Sequence, residues 1–273
     1  MKLIKLISRI CIVLALAFLT GCSVTDSVSK HKFKVGMECS YAPFNWIQPN
    51  FKSGSVKVSG GWYANGYDVY IATRIADALG KELEIVKVEW DGLLPALTSG
   101  KIDAIIAGMS ETQERKQSID FTDSYYTTHI VIVLKKGSKY ENAKSINDFK
   151  DAKITGQIGT LHYELINQMR GVDKQVPMED FSSIISSLNA GKIDCYVSEK
   201  PAALTAVHMN PNLTYIDFEE GKGFQQTEQG MNVSIGVRKG SELREKINEI
   251  LKDISGEDRD KLMQCAVKGS CIE

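Results

Sequence analysis

One near-repeat constrains this chain more than any other feature. Leu97-Thr98-Ser99-Gly100-Lys101-Ile102-Asp103-Ala104 returns as Leu188-Asn189-Ala190-Gly191-Lys192-Ile193-Asp194-Cys195. In each copy a helical pattern stops at a glycine, where the chain needs a left-handed cap, and an apolar strand starts almost at once. Two copies of the same helix-to-strand joint point to two similar lobes. Counting five residues on from Asp103 and Asp194 reaches Gly108 and Glu199, so 108–110 and 198–199 are expected to be equivalent strand ends. Ligands in open α/β sheets bind outside the carboxyl ends of strands, which places the expected pocket between the lobes.

The surrounding chain alternates in the same way. Residues 33–37 read as a strand. Residues 68–79 read as a helix whose apolar stripe is Val69, Ile71, Ala72, Ile75, Ala76 and Leu79, stopped by Gly80. A strand over 83–88, a short helix over 92–99 and a continuous apolar strand over 102–107 follow, so the fold class is α/β with largely parallel sheets. Two strand-like stretches, 128–136 and 231–239, end in Lys-Lys-Gly-Ser and Arg-Lys-Gly-Ser and are expected to cross between the lobes as a hinge. Lobe 1 is then 33–128 with 232–273, and lobe 2 is 129–231.

The N-terminus carries Lys2, Lys5 and Arg9, an apolar run over 10–19, and Leu19-Thr20-Gly21-Cys22. A basic start, a short apolar middle and small residues before a cleavage point describe an export signal over 1–21. The run is about half of the ~20 residues a spanning helix needs. Leucine three positions before cysteine resembles the bacterial lipobox, which makes Cys22 a lipid anchor. The polar stretch 22–32 is a tether, and the chain is expected on the extracytoplasmic face of the cell membrane.

The charges nearly balance, with 33 Lys and Arg against 34 Asp and Glu, and no basic block is interleaved with aromatics. That excludes a nucleic-acid partner. Beyond Cys11 and Cys22, the cysteines are Cys39, Cys195, Cys265 and Cys271. Export permits a Cys265–Cys271 bridge, and two buried or frayed thiols are the equal alternative. No Cys or His spacing supports a metal site.

Seven ordered motifs carry a family resemblance: Tyr41-Ala42-Pro43-Phe44, Gly66-Tyr67-Asp68-Val69, Trp90-Asp91-Gly92-Leu93-Leu94-Pro95-Ala96-Leu97, Gly108-Met109-Ser110, Glu114-Arg115-Lys116, Ile119-Asp120-Phe121-Thr122 and Tyr125-Tyr126. Together they resemble the bacterial extracellular solute-binding proteins of family 3, the polar amino-acid-binding lipoproteins of ABC importers. The resemblance implies a two-lobed periplasmic-binding-protein type II fold, an amino acid held between the lobes, an ABC permease as membrane partner, a monomer and no cofactor.

Arg115 is the only arginine between Arg74 and Arg170, and a guanidinium fork matches a carboxylate bidentately. The resemblance assigns it to the ligand's α-carboxylate, with Ser110 and the backbone around Gly108 for other main-chain atoms. Glu199 stands where the family commonly has aspartate for the α-ammonium. Gly159 and Thr160 precede a helix starting near Leu161, whose amides suit the carboxylate; the family often has a hydroxyl where this chain has Leu161. Tyr41 and Trp90 match the aromatics that sandwich the ligand side chain. Phe44 reads as core, and Trp62 and Tyr63 lie in an insertion over 45–65 that reads as a surface hairpin.

Glu38 bears on substrate class. It sits three residues before Tyr41, where receptors for basic amino acids in the family carry an acid, and an ordinary strand-end carboxylate is the equal alternative. Arginine, lysine, histidine and ornithine therefore lead, followed by glutamine or another uncharged polar amino acid. A dehydratase-like enzyme on the same fold is the third reading. Its only candidate acids are Glu199 and Glu38, the separated His129, His162 and His208 form no Ser/His/Asp pattern, and no catalytic residue is assigned.

Overall fold

The repeated aspartates do the same work twice. Asp103 donates its backbone N–H to Lys34 O at 2.7 Å and accepts from Lys34 N on Oδ2 at 3.0 Å. Asp194 makes the matching pair with Lys153, both at 2.8 Å. Each carboxylate thus satisfies a backbone donor at the start of the strand beside it. Ahead of them, Gly100 and Gly191 take φ of +79° and +73°, the left-handed values a helix-ending turn requires.

The computed structural model describes residues 31–225 and 231–269. The leader, Cys22 and Cys271 lie outside the described residues, and with them the lipid anchor and the Cys265–Cys271 bridge. In chain order the strands are β1 (Lys32–Met37), β2 (Ser40–Tyr41), β3 (Asn45–Gln48), β4 (Val56–Lys57), β5 (Tyr63–Asn65), β6 (Glu82–Lys87), β7 (Ala104–Ile105), β8 (Ile119–Thr127), β9 (Ile130–Lys135), β10 (Lys153–Thr155), β11 (Asp173–Lys174), β12 (Cys195–Glu199), β13 (Leu213–Ile216) and β14 (Asn232–Arg238). The helices are α1 (Tyr67–Ala78), α2 (Leu93–Thr98), α3 (Arg115–Ser118), α4 (Leu161–Leu165), α5 (Phe181–Asn189), α6 (Lys200–Met209), α7 (Leu243–Lys252) and α8 (Gly256–Val267). Among the described residues no helix is long and apolar enough to cross a membrane.

Two five-stranded sheets have the orders β6-β1-β7-β14-β8 and β11-β10-β12-β9-β13. In the first, β1 runs parallel to β6 and β7, and β14 is antiparallel to β7 and β8. In the second, β10 runs parallel to β11 and β12, and β9 is antiparallel to β12 and β13. The pattern is the same in both, so β7 and β12, the strands that follow the repeats, hold equivalent places. Each sheet is mixed rather than largely parallel, because the antiparallel β14 and β9 are drawn from the far side of the connection between the sheets. The chain leaves β8 in the first sheet and reaches β9 in the second through Thr128 and His129, where Thr128 N donates to Met231 O at 3.0 Å beside β14.

The expected strand over 102–107 pairs as β7 over two residues only. Asp103 is taken up by its contacts with Lys34, and beyond Ile106 the chain turns through Gly108 at φ +59°. Residues 40–65 build a third, four-stranded antiparallel sheet in the order β2-β3-β5-β4, with Trp62 43% exposed at its edge. Phe44 is fully buried.

The stripe of α1 buries Val69, Ile71, Ala72, Ile75 and Ala76 against this core. Its first amides are met by neighbouring backbone, since Tyr67 N and Asp68 N donate to Pro43 O and Phe44 O at 3.0 and 2.8 Å. Asp68, fully buried, accepts from Tyr125 OH at 2.6 Å and from Asn45 Nδ2 at 2.8 Å. Tyr125 OH in turn accepts from Gly108 N at 3.1 Å, which ties the turn after β7 to α1. The larger apolar cluster continues from Tyr41 to Phe181 on α5, so the two sheet layers meet through aromatic packing.

Candidate ligand-binding site

Tyr41, Trp90, Gly108, Ser110, Arg115, Thr160 and Leu161 line one cavity. The strand ends bring them together: Gly108 and Ser110 follow β7, Arg115 opens α3, and Thr160 caps α4 by accepting from Tyr163 N. Glu38 and Glu199 stand one bond behind the wall. Gln157, a lining residue, donates to Glu38 Oε2 at 2.8 Å, and Tyr41 OH donates to Glu199 Oε1 through a short contact.

Arg115 is 8% exposed, and burial pushes its guanidinium down to about 10. Nη1 donates to Ser110 O at 2.7 Å and Nη2 to Gly159 O at 3.0 Å. The guanidinium lies 5.1 Å from the Trp90 ring centroid, and Trp90 Nε1 reaches the same Gly159 carbonyl at 3.2 Å. One cation thereby lies over an indole face.

Both acids are buried. Burial pushes Glu38 up to about 7 against the hydrogen bond from Gln157, and the charges of Asp180, Glu89 and Asp68 push the same way. Burial likewise pushes Glu199 up to about 7, opposed by its bond from Tyr41. Glu38 Oε1 has no hydrogen-bond partner among the described residues. None of Glu38, Arg115 and Glu199 is in an ion pair among them. Buried charges are normally paired, and here two buried acids and one buried guanidinium are held by neutral partners only.

Each aromatic residue is also held by the protein. Tyr41 stacks on Phe44 at 5.2 Å and on Phe181 at 4.7 Å, while Trp90 packs on Arg115. Gly108 lies close beneath this wall at φ +59°, and a Cβ there would be strained in the backbone and tight, at 3.0 Å, against Tyr41 Cε1. Among the described residues no group of three or more His, Cys, Asp or Glu side chains is placed to hold a metal ion.

The sequence profile of the bacterial extracellular solute-binding proteins, family 3, matches residues 33–264. The chain belongs to that family. This family 3 protein is 30% identical to the arginine-binding extracellular protein ArtP of Bacillus subtilis over 267 residues, covering 96% of this chain and 94% of ArtP. It is 33% identical to a probable histidine-binding protein of Campylobacter jejuni over 193 residues, 70% of each chain. Among solved structures it resembles AbpA, an amino acid ABC transporter substrate-binding protein of Streptococcus pneumoniae bound to L-arginine, with a TM-score of 0.74 and 27% identity. That match covers 89% of this chain and 97% of AbpA. The fold of this family 3 protein is the two-lobed periplasmic-binding-protein type II α/β fold.

Three lining residues of this family 3 protein went unread in the sequence: Gln157, His162 and Phe181. Phe181 starts α5 after Asp180, whose Oδ1 accepts from Ser183 N at 2.7 Å, and an N-cap followed by an aromatic was the available signal. Gln157 and His162 flank Gly159-Thr160 and carry no periodic signal of their own.

Proposed function

We propose that the chain is the solute-binding component of an amino-acid ABC importer and holds a basic amino acid, arginine, lysine, histidine or ornithine, between its two lobes. The observation that carries this is the burial of Arg115, Glu38 and Glu199 around one cavity. Arg115 takes the ligand's α-carboxylate, helped by the backbone at Thr160 and Leu161. Glu199 takes the α-ammonium with the strand end at Gly108 and Ser110. Glu38 takes the side-chain cation, and Tyr41 and Trp90 supply the aromatic surface for the stem. Likeness to ArtP and AbpA supports an amino acid as the cargo.

Lobe 1 is 33–128 with 232–273 and lobe 2 is 129–231, closing on the two crossings near Thr128 and Met231 to present a shape the permease recognises. The protein works as a monomer, exported by its signal over 1–21, anchored by lipid at Cys22 and lifted from the membrane by the tether over 22–32. No chemistry on the ligand is needed. A micromolar Kd corresponds to about −8 kcal/mol, within reach of two charge-assisted sites and aromatic burial.

The test is isothermal titration of the purified chain, unfolded and refolded to strip carried-over ligand, against the twenty amino acids and ornithine. Tight binding of a cationic amino acid is expected. Tight binding of glutamine instead removes the role given to Glu38, and binding of no amino acid overturns the proposal.

A further inference from the structure

His162 is the second residue of α4 and lines the same cavity as Arg115 and Tyr41. The residue is 8% exposed, and Nδ1 has no hydrogen-bond partner among the described residues. Buried polar atoms are almost always bonded, so a buried orphan nitrogen in a cavity wall marks a place where something else supplies the partner. Burial and the nearby Arg115 charge hold the ring neutral, pushing it down to about 4.

The ring packs on another wall residue. His162 meets Phe181 edge to face, with centroids 5.8 Å apart at 85°. Two residues before Phe181, the Glu179 carbonyl accepts from Gln157 Nε2 at 2.9 Å, and the same amide donates to Glu38. His162, Phe181 and Gln157 share the cavity wall with Arg115, and two buried atoms lack partners among the described residues, His162 Nδ1 in that wall and Glu38 Oε1 behind it. A carboxylate is an acceptor only, and a neutral imidazole accepts on one nitrogen and donates from the other.

We propose that His162 is a further ligand-contacting residue, accepting on Nδ1 a hydrogen bond from an N–H of the bound amino acid's side chain. The site then reads that side chain with one charged acceptor, Glu38, and one neutral acceptor, His162. Ligands that offer two or more side-chain N–H donors are favoured over those that offer none. This rests on the amino-acid-binding reading above.

The experiment titrates the purified chain and its His162→Leu and His162→Gln variants with arginine, lysine, glutamine and methionine. His162→Leu is expected to weaken the tightest-bound amino acid by roughly tenfold, His162→Gln to restore most of the loss, and methionine to respond to neither. Binding by His162→Leu within about twofold of the parent overturns the inference, as does an equal loss for all four amino acids. If His162→Leu does not fold, nitrogen NMR of the unaltered chain decides: the His162 Nδ1 resonance moves on ligand addition, and an unmoved resonance overturns the inference. Failure of the parent chain to bind any amino acid overturns the reading beneath it instead, so the two failures are distinct.

Discussion

Gln157 donates to Glu38 at 2.8 Å across 119 positions of sequence. Glu38 follows β1 and Gln157 follows β10, and these are the equivalent strands of the two sheets, each flanked by parallel neighbours. The repeated topology therefore brings matching strand ends together, and the polar pair they form leaves Glu38 Oε1 without a hydrogen-bond partner among the described residues.

Under the proposed function Glu38 is the residue that sets selectivity. Glu38→Gln keeps the shape and removes the charge, so affinity for arginine or lysine is expected to fall roughly ten- to hundredfold, the range of a charge-assisted hydrogen bond. Glutamine affinity should change little. Titration of the variant with both classes checks this, and an equal loss for charged and uncharged amino acids would count against a side-chain contact.

Arg115→Lys should behave differently. The guanidinium spans Ser110 O and Gly159 O at 2.7 and 3.0 Å, a geometry that a single ammonium does not reproduce. Because every amino acid carries the α-carboxylate, the loss should be uniform, roughly tenfold or more, without a change in rank order. A variant that alters preference among amino acids would place Arg115 at the side-chain end instead.

Acid–base linkage follows from the two buried glutamates. Glu38 and Glu199 are raised from 4.5 to about 7, so the native state holds more protons than the unfolded chain between those values. Their ionisation then costs native stability, which is expected to fall as pH rises from about 4.5 to 7 and to level above that. A cationic ligand favours the ionised forms. Its binding should release protons near pH 7 and weaken on acidification below that value. Denaturation against pH tests the first part, and calorimetry in two buffers of different ionisation enthalpy tests the second; proton uptake on binding would contradict it.

Gly66→Ala tests the joint that seats α1. Gly66 has φ +124°, and a Cβ there would lie 2.3 Å from Phe44 O, a backbone atom that cannot swing aside. Destabilisation of about 2 kcal/mol or more is expected in chemical denaturation. An unchanged midpoint would mean that the segment around Pro43 and Phe44 shifts freely, and with it Tyr41.

Much of this was readable from residues alone. The glycine-ended repeats and the α1 stripe are set by neighbours in the chain, because helix caps and periodic burial are local demands. Sequence also singled out Arg115, an isolated arginine in a polar stretch. It did not show that the expected strand over 102–107 pairs only as Ala104–Ile105, since ladder length depends on where β1 and β14 lie. Nor did it find Gln157, His162 and Phe181, whose importance comes from partners far along the chain: Glu38 for Gln157, Tyr41 for Phe181 and the shared cavity for His162. The sequence by itself determined two similar α/β units and a list of charged candidates, because periodicity and backbone punctuation act over a few residues. Only the tertiary structure decided which charges lose water together, because burial and cross-sheet hydrogen bonds exist only once distant strand ends meet.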